Sequence, residues 1–582
     1  MSSSAPPSEA LSSAKQKLFE LMLERERASQ RVASERIPRV DRSRPLPLSF
    51  AQQRLWFLDR LEPGSHAYNL PLIVRLRGDL DVAVLQRSLD ELIRRHEVLR
   101  TRFGLRDGQP VQIVDAELHL PLRQIDLRQV DDTLDPEDIA AADNRLPYDL
   151  ATGPLLRATL VRTDETDHLF ILNVHHIVSD GWSLGVLVRE IGGLYQAFAA
   201  DQPVPFQELP IQYGDFAVWQ REMLAGEVFG QQLDYWQRLL ASAPAVLELP
   251  ADNPRPPVQS ISGRTLTFAL PNSASTGVRA LAHAEEATLF TALLTVFEVL
   301  LSRYSGQNDL LVGTPVANRN RVQLEGLIGF FVNTLVLRTE IADDPSFRGL
   351  LQQVRRSVVG ALQHQDIPFE RLVEELQPQR DVSRSPLFQV MFALQNKPDL
   401  DQEFAGVRLT PVEIDPQTSK FDLTLTLEET ADGLLGKLEY PLALFDPSTA
   451  DRMAKHFETL LLGVVEDPDR RLAELPLLAS SERRQIEQWN ATAVDYPRRQ
   501  TVHGLFEARV AAHPERIALT FGQQALTYRE LDRRAERLAG MLEALGAGTE
   551  RPIGVELERS AAMVVAVLAV LKTGAAFLPL DP

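Results

Sequence analysis

Apolar residues recur along this chain at two spacings that alternate with one another. Residues 80–96 carry leucines at Leu85, Leu89 and Leu92, and this spacing of three and four is that of an amphipathic helix. Residues 169–174 instead form a short, continuous apolar run rich in strand-forming side chains, which predicts a buried strand. The first part of the chain therefore mixes helices and strands.

The same alternation continues to the end of the chain. Further helices are predicted at 182–198, 289–304, 528–545 and 560–571, and further strands at 310–312, 334–338, 387–393 and 423–427. With 582 residues the chain is too long for one core, so three or more packing units are expected. The overall fold class predicted is α/β. Residues 1–10 are predicted to be disordered, and 11–33 to form a charged amphipathic helix.

The net charge and the N-terminal sequence limit the partners and the cellular location that can be expected. The net charge of -19 repels phosphate backbones and anionic headgroups, so neither nucleic acid nor a membrane surface is an expected partner. The N-terminus lacks the cationic and apolar regions of a signal peptide. The apolar run 561–571 has about half the length of a membrane span and predicts a buried helix. A cytoplasmic location is expected.

The chain contains no cysteine, which excludes disulfides, thiolate metal sites and a cysteine nucleophile. If thioester chemistry takes place here, the sulfur must belong to a partner or a cofactor.

The residues with the clearest chemical potential follow the buried strand 169–174. His175, His176, Asp180 and Gly181 stand where this strand gives way to a glycine and a new helix. A histidine there could accept a proton near neutral pH, since its unperturbed pKa is about 6.5. The first N–H groups of the helix could hold an oxyanion. Taken alone, the pattern is more typical of a core histidine and a helix-capping aspartate than of a catalytic pair. No third residue stands at metal-ligand spacing, so no metal is expected.

The wider sequence resembles one known family. His175–Gly181 (HHIVSDG) resembles the HHxxxDG signature of nonribosomal peptide synthetase condensation domains. The other motifs of that family follow in its order: SFAQQRLW at 49–56, RHEVLRTRF at 95–103, YGDFAVW at 213–219, IGFFVNT at 328–334, HQDIPFE at 364–370 and RSPLFQVMF at 384–392. The segments LTYREL at 526–531 and LKTGAAFLPLD at 571–581 resemble the first two motifs of an adenylation domain. Its nucleotide-binding loop lies beyond the chain's end, so the fragment is not expected to bind ATP.

The resemblance implies an architecture. Condensation domains are similar to chloramphenicol acetyltransferase: two α/β lobes form a V-shaped pseudodimer with the active site in a tunnel at their junction. The division expected here is a tail and helix at 1–40, an N-lobe at 41–225, a C-lobe at 226–475, a linker at 476–500 and a truncated adenylation fragment at 501–582.

The resemblance also implies an acyltransferase that forms amide bonds. The amine of an aminoacyl acceptor attacks a donor thioester, and both substrates travel on the 4′-phosphopantetheine arms of carrier proteins. His176 is then the expected base or amine-orienting group, and the Gly181 N–H the expected oxyanion donor. His175 and Asp180 are expected to shape the loop. In the family the aspartate pairs with an arginine, for which Arg319 is slightly preferred to Arg102.

The donor is left open by the sequence. A starter domain that N-acylates the first amino acid, from fatty acyl-CoA or an upstream acyl carrier protein, is favoured for lipopeptide initiation. The alternative is an elongation domain that takes a peptidyl or polyketide chain from a separate synthetase. A third possibility, of a different class, is an inactive domain that recruits another enzyme. The expected partners are a downstream peptidyl carrier domain and the rest of the adenylation domain, and the fragment itself is expected to be monomeric.

Overall fold

The computed structural model describes residues 36–129, 134–378, 381–395 and 402–582. The helix predicted at 11–33 lies outside these residues. They form two compact units, divided between Glu482 and Arg483.

The helices and strands are numbered along the chain. The strands are β1 Leu46–Pro47, β2 Asn69–Arg77, β3 Thr101–Arg106, β4 Gln109–Val114, β5 Leu122–Asp126, β6 Leu156–Arg162, β7 Asp167–His175, β8 Gly263–Ala269, β9 Asp309–Val316, β10 Asn333–Glu340, β11 Val390–Gln395, β12 Gln402–Phe404, β13 Val407–Pro411, β14 Leu423–Thr430, β15 Gly433–Pro441, β16 Ile517–Phe521, β17 Gln524–Thr527, β18 Ile553–Glu556 and β19 Phe577–Leu580. The helices are α1 Phe50–Leu61, α2 Val82–Arg95, α3 Pro136–Asn144, α4 Gly181–Ala199, α5 Tyr213–Met223, α6 Glu227–Leu240, α7 Asn272–Ala284, α8 Leu289–Ser305, α9 Val322–Glu325, α10 Phe347–Gln363, α11 Phe369–Leu376, α12 Pro447–Glu466, α13 Ser480–Asn490, α14 Val502–Ala512, α15 Tyr528–Ala544 and α16 Ala561–Lys572.

The first lobe is built on a mixed sheet with the strand order β12-β13-β2-β7-β6-β5. Strand β7, which contains the predicted run 169–174, lies between β2 and β6 and pairs antiparallel with both. It is almost entirely buried, as a run apolar on both faces requires. Helices α2 and α4 pack together beside this sheet. Gly181 is thus the first residue of a helix that directly follows the central strand.

The second lobe contains another mixed sheet, with the order β10-β9-β11-β14-β15-β8. Strand β11 runs parallel to β9 and β14, and the other neighbours are antiparallel. Helices α7, α8, α10 and α12 share one apolar core with this sheet. The α/β class predicted from the sequence, with two lobes of similar construction, is confirmed.

One hairpin crosses between the two sheets. Strands β12 and β13 come after β11 in the chain, yet β13 pairs with β2 of the first sheet, placing Leu409 opposite Leu76. The close approach depends on Gly78, whose φ is +136° and where a Cβ would overlap the carbonyl of Gly406. Residues late in the chain therefore complete the first lobe's sheet.

Residues 483–582 are a smaller unit. Its core is formed by helices α15 and α16 with the hairpin β16–β17, and β18 and β19 pair in parallel. The apolar run 561–571 forms helix α16, in which Leu568, Ala569 and Val570 are buried. None of the helices in the described ranges combines the length and the apolar character that crossing a membrane would take.

Candidate active site

His176 stands at the end of β7, in a short 3₁₀ turn. Its backbone N–H donates to the carbonyl of Tyr68 at 2.8 Å, and its ring Nδ1 lies 2.9 Å from the carbonyl oxygen of Ser179. A carbonyl can only accept, so Nδ1 carries the proton and Nε2 keeps its lone pair. Burial first, and the charge of Lys420 second, lower the pKa of His176 to about 3. The ring is therefore neutral at physiological pH, with Nε2 available to accept a hydrogen bond.

His175 has a different environment, although it is the next residue. It is 4% exposed, its Nδ1 accepts the N–H of Ile177 at 3.1 Å, and its ring packs edge-on against Tyr148 at 5.8 Å. Burial lowers the pKa of His175 to about 3, with the neighbouring His176 adding to the effect. These contacts hold the turn that presents His176.

Asp180 is fully buried and caps helix α4. Its Oδ1 accepts the N–H of Ser183 at 2.8 Å and the hydroxyl of the same residue at 2.7 Å, and its Oδ2 accepts the N–H of Phe331 at 3.0 Å. A side-chain oxygen at this position satisfies one of the free N–H groups at the start of the helix. The carboxylate thus ties the histidine turn to the second lobe.

Of the two candidate arginines, Arg319 pairs with Asp180. Its Nη2 lies 3.1 Å from Oδ1 of Asp180, and both side chains are almost inaccessible to solvent. Arg102 instead pairs with Asp115 at 3.2 Å on a partly exposed surface. The structure does not bring Arg102 to the site.

Ser183, which the sequence analysis did not single out, joins this network. Its hydroxyl also contacts Nη2 of Arg319 at 2.8 Å and the N–H of Gly329 at 3.1 Å. Its position three residues after the capping Asp180 was the available signal, because that N–H is the one an N-cap normally receives. These hydrogen bonds hold helix α4 against residues 327–331.

Gly181 is the first residue of α4, and the cap formed by Asp180 goes to Ser183 rather than to it. The first N–H groups of a helix have no partner within the helix. A Cβ on Gly181 would meet no atom within 4 Å, so open space lies beside this residue. The space belongs to the cavity that also reaches His176.

This cavity has a volume of about 1420 Å³ and is lined by both lobes. Most of the lining is apolar, with Leu184 from α4, Val332 before β10 and Leu362 from α10 among its walls. Arg189 and Arg355 also line it, so one cation comes from each lobe.

The other sequence motifs converge on the same region from outside. Gln52 donates to the carbonyl of Ile177 at 3.1 Å, and Ser49 contacts the hydroxyl of Tyr213 at 2.8 Å. Tyr213 in turn donates to the carbonyl of Phe330 at 2.6 Å, next to the ring of His176. These motifs support the histidine turn.

The motif RHEVLRTRF also has a buried role. His96 and Arg95 both contact the carboxylate of Glu190 at 3.0 Å, which fastens α2 to α4. Of the aromatic residues in these motifs, Tyr213 is buried, whereas Trp56 and Trp219 are partly buried and pack against the core.

Asn333 lies in the motif IGFFVNT and is the first residue of strand β10. Its amide Nδ2 donates to the carbonyls of Gln365 and Ile367, both at 2.8 Å, and its Oδ1 accepts the N–H of Phe369 at 3.0 Å. The side chain therefore holds the HQDIPFE segment, while the neighbouring Val332 lines the cavity.

The described residues include no group of three or more histidine, aspartate or glutamate side chains that could hold a metal ion.

Comparison with known families identifies the chain. The condensation-domain family model matches residues 43–487, and the AMP-binding enzyme model matches residues 506–582. The chain therefore belongs to the condensation-domain family. It is a condensation domain of a nonribosomal peptide synthetase, an acyltransferase that forms amide bonds, followed by part of an AMP-binding domain.

The curated relatives are large synthetases. The chain is 47% identical over 549 residues to one of the linear gramicidin synthase proteins of Brevibacillus parabrevis, covering 93% of this chain and 11% of that protein. It is 44% identical over 554 residues to the phosphinothricin tripeptide synthetase PhsC of Streptomyces viridochromogenes, covering 94% of this chain and 51% of the relative. The chain thus spans only part of the curated relatives that it matches.

Solved structures agree with this assignment. The four-domain nonribosomal peptide synthetase AB3403, bound to AMP and glycine, matches 93% of this chain and 42% of its own, with a TM-score of 0.81 and 27% identity. The X-domain from teicoplanin biosynthesis covers 76% of this chain and 100% of its own, with a TM-score of 0.70 and 27% identity.

Proposed function

We propose that this chain joins a donor acyl thioester to the α-amine of an aminoacyl thioester, with both substrates held on phosphopantetheine arms of carrier proteins. The observation that carries the proposal is His176. Its ring is fixed through Nδ1, its Nε2 is without a partner among the described residues, and it lines a cavity shared by both lobes. A carbonyl carbon and an amine could meet there.

His176 acts on the acceptor amine as a hydrogen-bond acceptor. Because its pKa is lowered to about 3, the ring is a weak base, and its contribution is to orient the neutral amine. The amine itself has an ordinary pKa of roughly 8, so an appreciable fraction is already uncharged near neutral pH. Positioning of two long arms supplies much of the rate acceleration.

The Gly181 N–H is the donor to the oxyanion of the tetrahedral intermediate. It begins helix α4, whose dipole favours negative charge at this end, and it borders the cavity. His175 and Asp180 hold the loop, since their polar atoms contact protein groups.

Two classes of donor fit the site. The starter expectation, a fatty acyl group from acyl-CoA or an acyl carrier protein, is favoured by the apolar lining of the cavity. Elongation of a carrier-bound peptidyl chain is favoured by the relatives, which are peptide synthetases such as the linear gramicidin synthase of Brevibacillus parabrevis.

Incubation with an aminoacyl-carrier acceptor, and with either acyl-CoA of several chain lengths or a peptidyl carrier, separates these donors. N-acylated product from acyl-CoA alone supports the starter role, and product from the peptidyl carrier alone supports elongation. No product from any donor would contradict the proposed function and favour a recruitment role. One solved structure similar to this chain is a complex of an X-domain with OxyB.

The proposed partners are a downstream peptidyl carrier domain, the rest of the adenylation domain, and the donor's carrier or acyl-CoA. Monomeric state, a cytoplasmic location and the division of the chain into lobes, linker and fragment stay predictions.

A further inference from the structure

Residues 417–422 connect the crossing hairpin to strand β14 and are tightly fixed. The carbonyl of Lys420 accepts a hydrogen bond from Nε2 of Gln259 at 2.8 Å, and Asp422 forms a partly buried ion pair with Arg255, whose Nη1 lies 2.9 Å from Oδ1. A backbone held in this way gives the Lys420 side chain a defined direction.

That direction is towards the histidine turn. The ammonium Nζ of Lys420 lies 4.6 Å from the centroid of the Tyr68 ring, and the carbonyl of Tyr68 accepts the backbone N–H of His176 at 2.8 Å. Tyr68 therefore contacts both the ammonium group of Lys420 and the backbone of His176. Within the described ranges, no carboxylate lies within ion-pair distance of Nζ, so the aromatic face is its contact.

The electrostatics match this geometry. Burial lowers the pKa of Lys420, the carboxylate of Glu439 opposes that shift, and Arg54 adds to it. In the other direction, the charge of Lys420 contributes to the lowered pKa of both His175 and His176. Lys420 therefore faces Glu439 from strand β15, Arg54 from helix α1 and the two histidines that follow β7.

Arg54 is itself paired with Glu370 at 3.5 Å, and Glu439 accepts the backbone N–H of Lys420 at 3.3 Å. Neither contact neutralises the ammonium directly. The charge of Lys420 therefore acts on the turn that contains His176 without a carboxylate of the described residues in direct contact with it.

We propose that Lys420 is a positioning residue whose charge keeps the bound acceptor amine in its uncharged form. This rests on the proposed function, because it concerns the same site and the same amine. A nearby cation disfavours a second cation, so an ammonium that enters the site loses its proton more readily than in water. The uncharged amine is the form that attacks.

The test is the pH dependence of single-turnover amide formation with the full chain. At saturating acceptor, the acidic limb of the pH–rate profile reports the pKa of the bound amine. In Lys420→Met this limb should move to higher pH by about one pH unit, since the opposing cation is gone. The rate at subsaturating acceptor reports the pKa of the free amine, and the acidic limb of that profile should be the same in wild type and in Lys420→Met.

Three variants provide matched controls. Lys420→Arg keeps the charge and should keep the wild-type limb. Glu439→Gln removes the compensating carboxylate and should move the limb to lower pH. Lys455→Met removes an exposed lysine, 56% accessible, from helix α12 and should change nothing.

A second readout needs no turnover. Glycyl and propionyl amide analogues of the acceptor arm differ by one ammonium group, and their inhibition constants are compared near pH 6. Wild type should favour the propionyl analogue, and Lys420→Met should reduce this preference several-fold. A Lys420→Met protein with a lower rate but unchanged limb and unchanged preference would overturn the proposal. The proposed function is judged separately, by wild-type turnover.

Discussion

At the scale of single residues, the most consequential contact of the site is the buried ion pair between Asp180 and Arg319. Both side chains are nearly inaccessible, and Arg319 has no second carboxylate within ion-pair distance among the described residues. Removal of one partner from a buried pair leaves the other charge uncompensated, whereas an exposed pair contributes little.

Asp180→Asn should therefore destabilise the fold by about 3–5 kcal/mol. The substitution preserves the shape of the side chain but leaves the buried charge of Arg319 without a compensating carboxylate. Arg102→Gln, which breaks the partly exposed pair with Asp115, should cost less than about 1 kcal/mol. Urea denaturation of both variants measures the difference. Equal losses of stability would contradict the structural role of the Asp180 pair.

The two histidines make stability depend on pH. Each has a pKa of about 3 in the folded chain, against 6.5 as the reference value, so the unfolded chain binds more protons between these values. Above pH 6.5 both histidines are neutral in the folded and the unfolded chain, and stability is highest. As the pH falls from 6.5 towards 3, the free energy of unfolding decreases by about 1.4 kcal/mol per pH unit for each histidine.

His176→Gln should remove one such contribution. The slope of unfolding free energy against pH, measured by urea denaturation between pH 4 and 6, should be shallower than in wild type by that amount. A variant with the wild-type slope would show that His176 is protonated in the folded chain, and the role assigned to its Nε2 would fail.

At the scale of elements, residues 327–331 must approach helices α4 and α5 closely. Gly329 allows this, because a Cβ there would overlap the ring of Tyr213. Gly326 stands three residues earlier in the same segment, and a Cβ on it would meet no atom within 4 Å.

Gly329→Ala should destabilise the domain by about 1–3 kcal/mol and slow amide formation, because the overlap pushes the segment away from Asp180 and Ser183. Gly326→Ala should leave both properties close to wild type. Thermal unfolding and the condensation assay compare the pair. Similar behaviour of the two variants would contradict the close packing assigned to Gly329.

Sequence patterns predicted the elements well where their period was strong. Residues 80–96 became Val82–Arg95, and 169–174 became part of Asp167–His175, because leucine spacing and a continuous apolar run each have one clear structural solution. The crossing hairpin β12–β13 was missed, since pairing with β2 depends on contacts distant in sequence. Lys420 was missed for the same reason: its partner Tyr68 is known only from the fold.

At the scale of the whole molecule, the two lobes of residues 36–482 are joined by more than a linker. Strand β13 extends the first sheet, and Arg319 of the second lobe binds Asp180 of the first. Elements that share a sheet and a buried ion pair should unfold together.

Tryptophan fluorescence can report each lobe separately. Trp219 lies in the first lobe, and Trp236 is buried in the second. Variants in which Trp219 or Trp236 is the only one of the chain's five tryptophans that remains should give coincident urea transitions. Well-separated transitions would show that the crossing contacts do not couple the lobes.

The central claim is that the neutral ring of His176 accepts a hydrogen bond from the acceptor amine and orients it. The most direct measurement is the single-turnover rate of amide formation between a donor thioester and an aminoacyl carrier, in wild type and in purified, folded His176→Ala. The rate should fall by about 10²-fold, since the hydrogen-bond acceptor that orients the amine is lost while the cavity remains. A His176→Ala chain with near wild-type rate would contradict the claim.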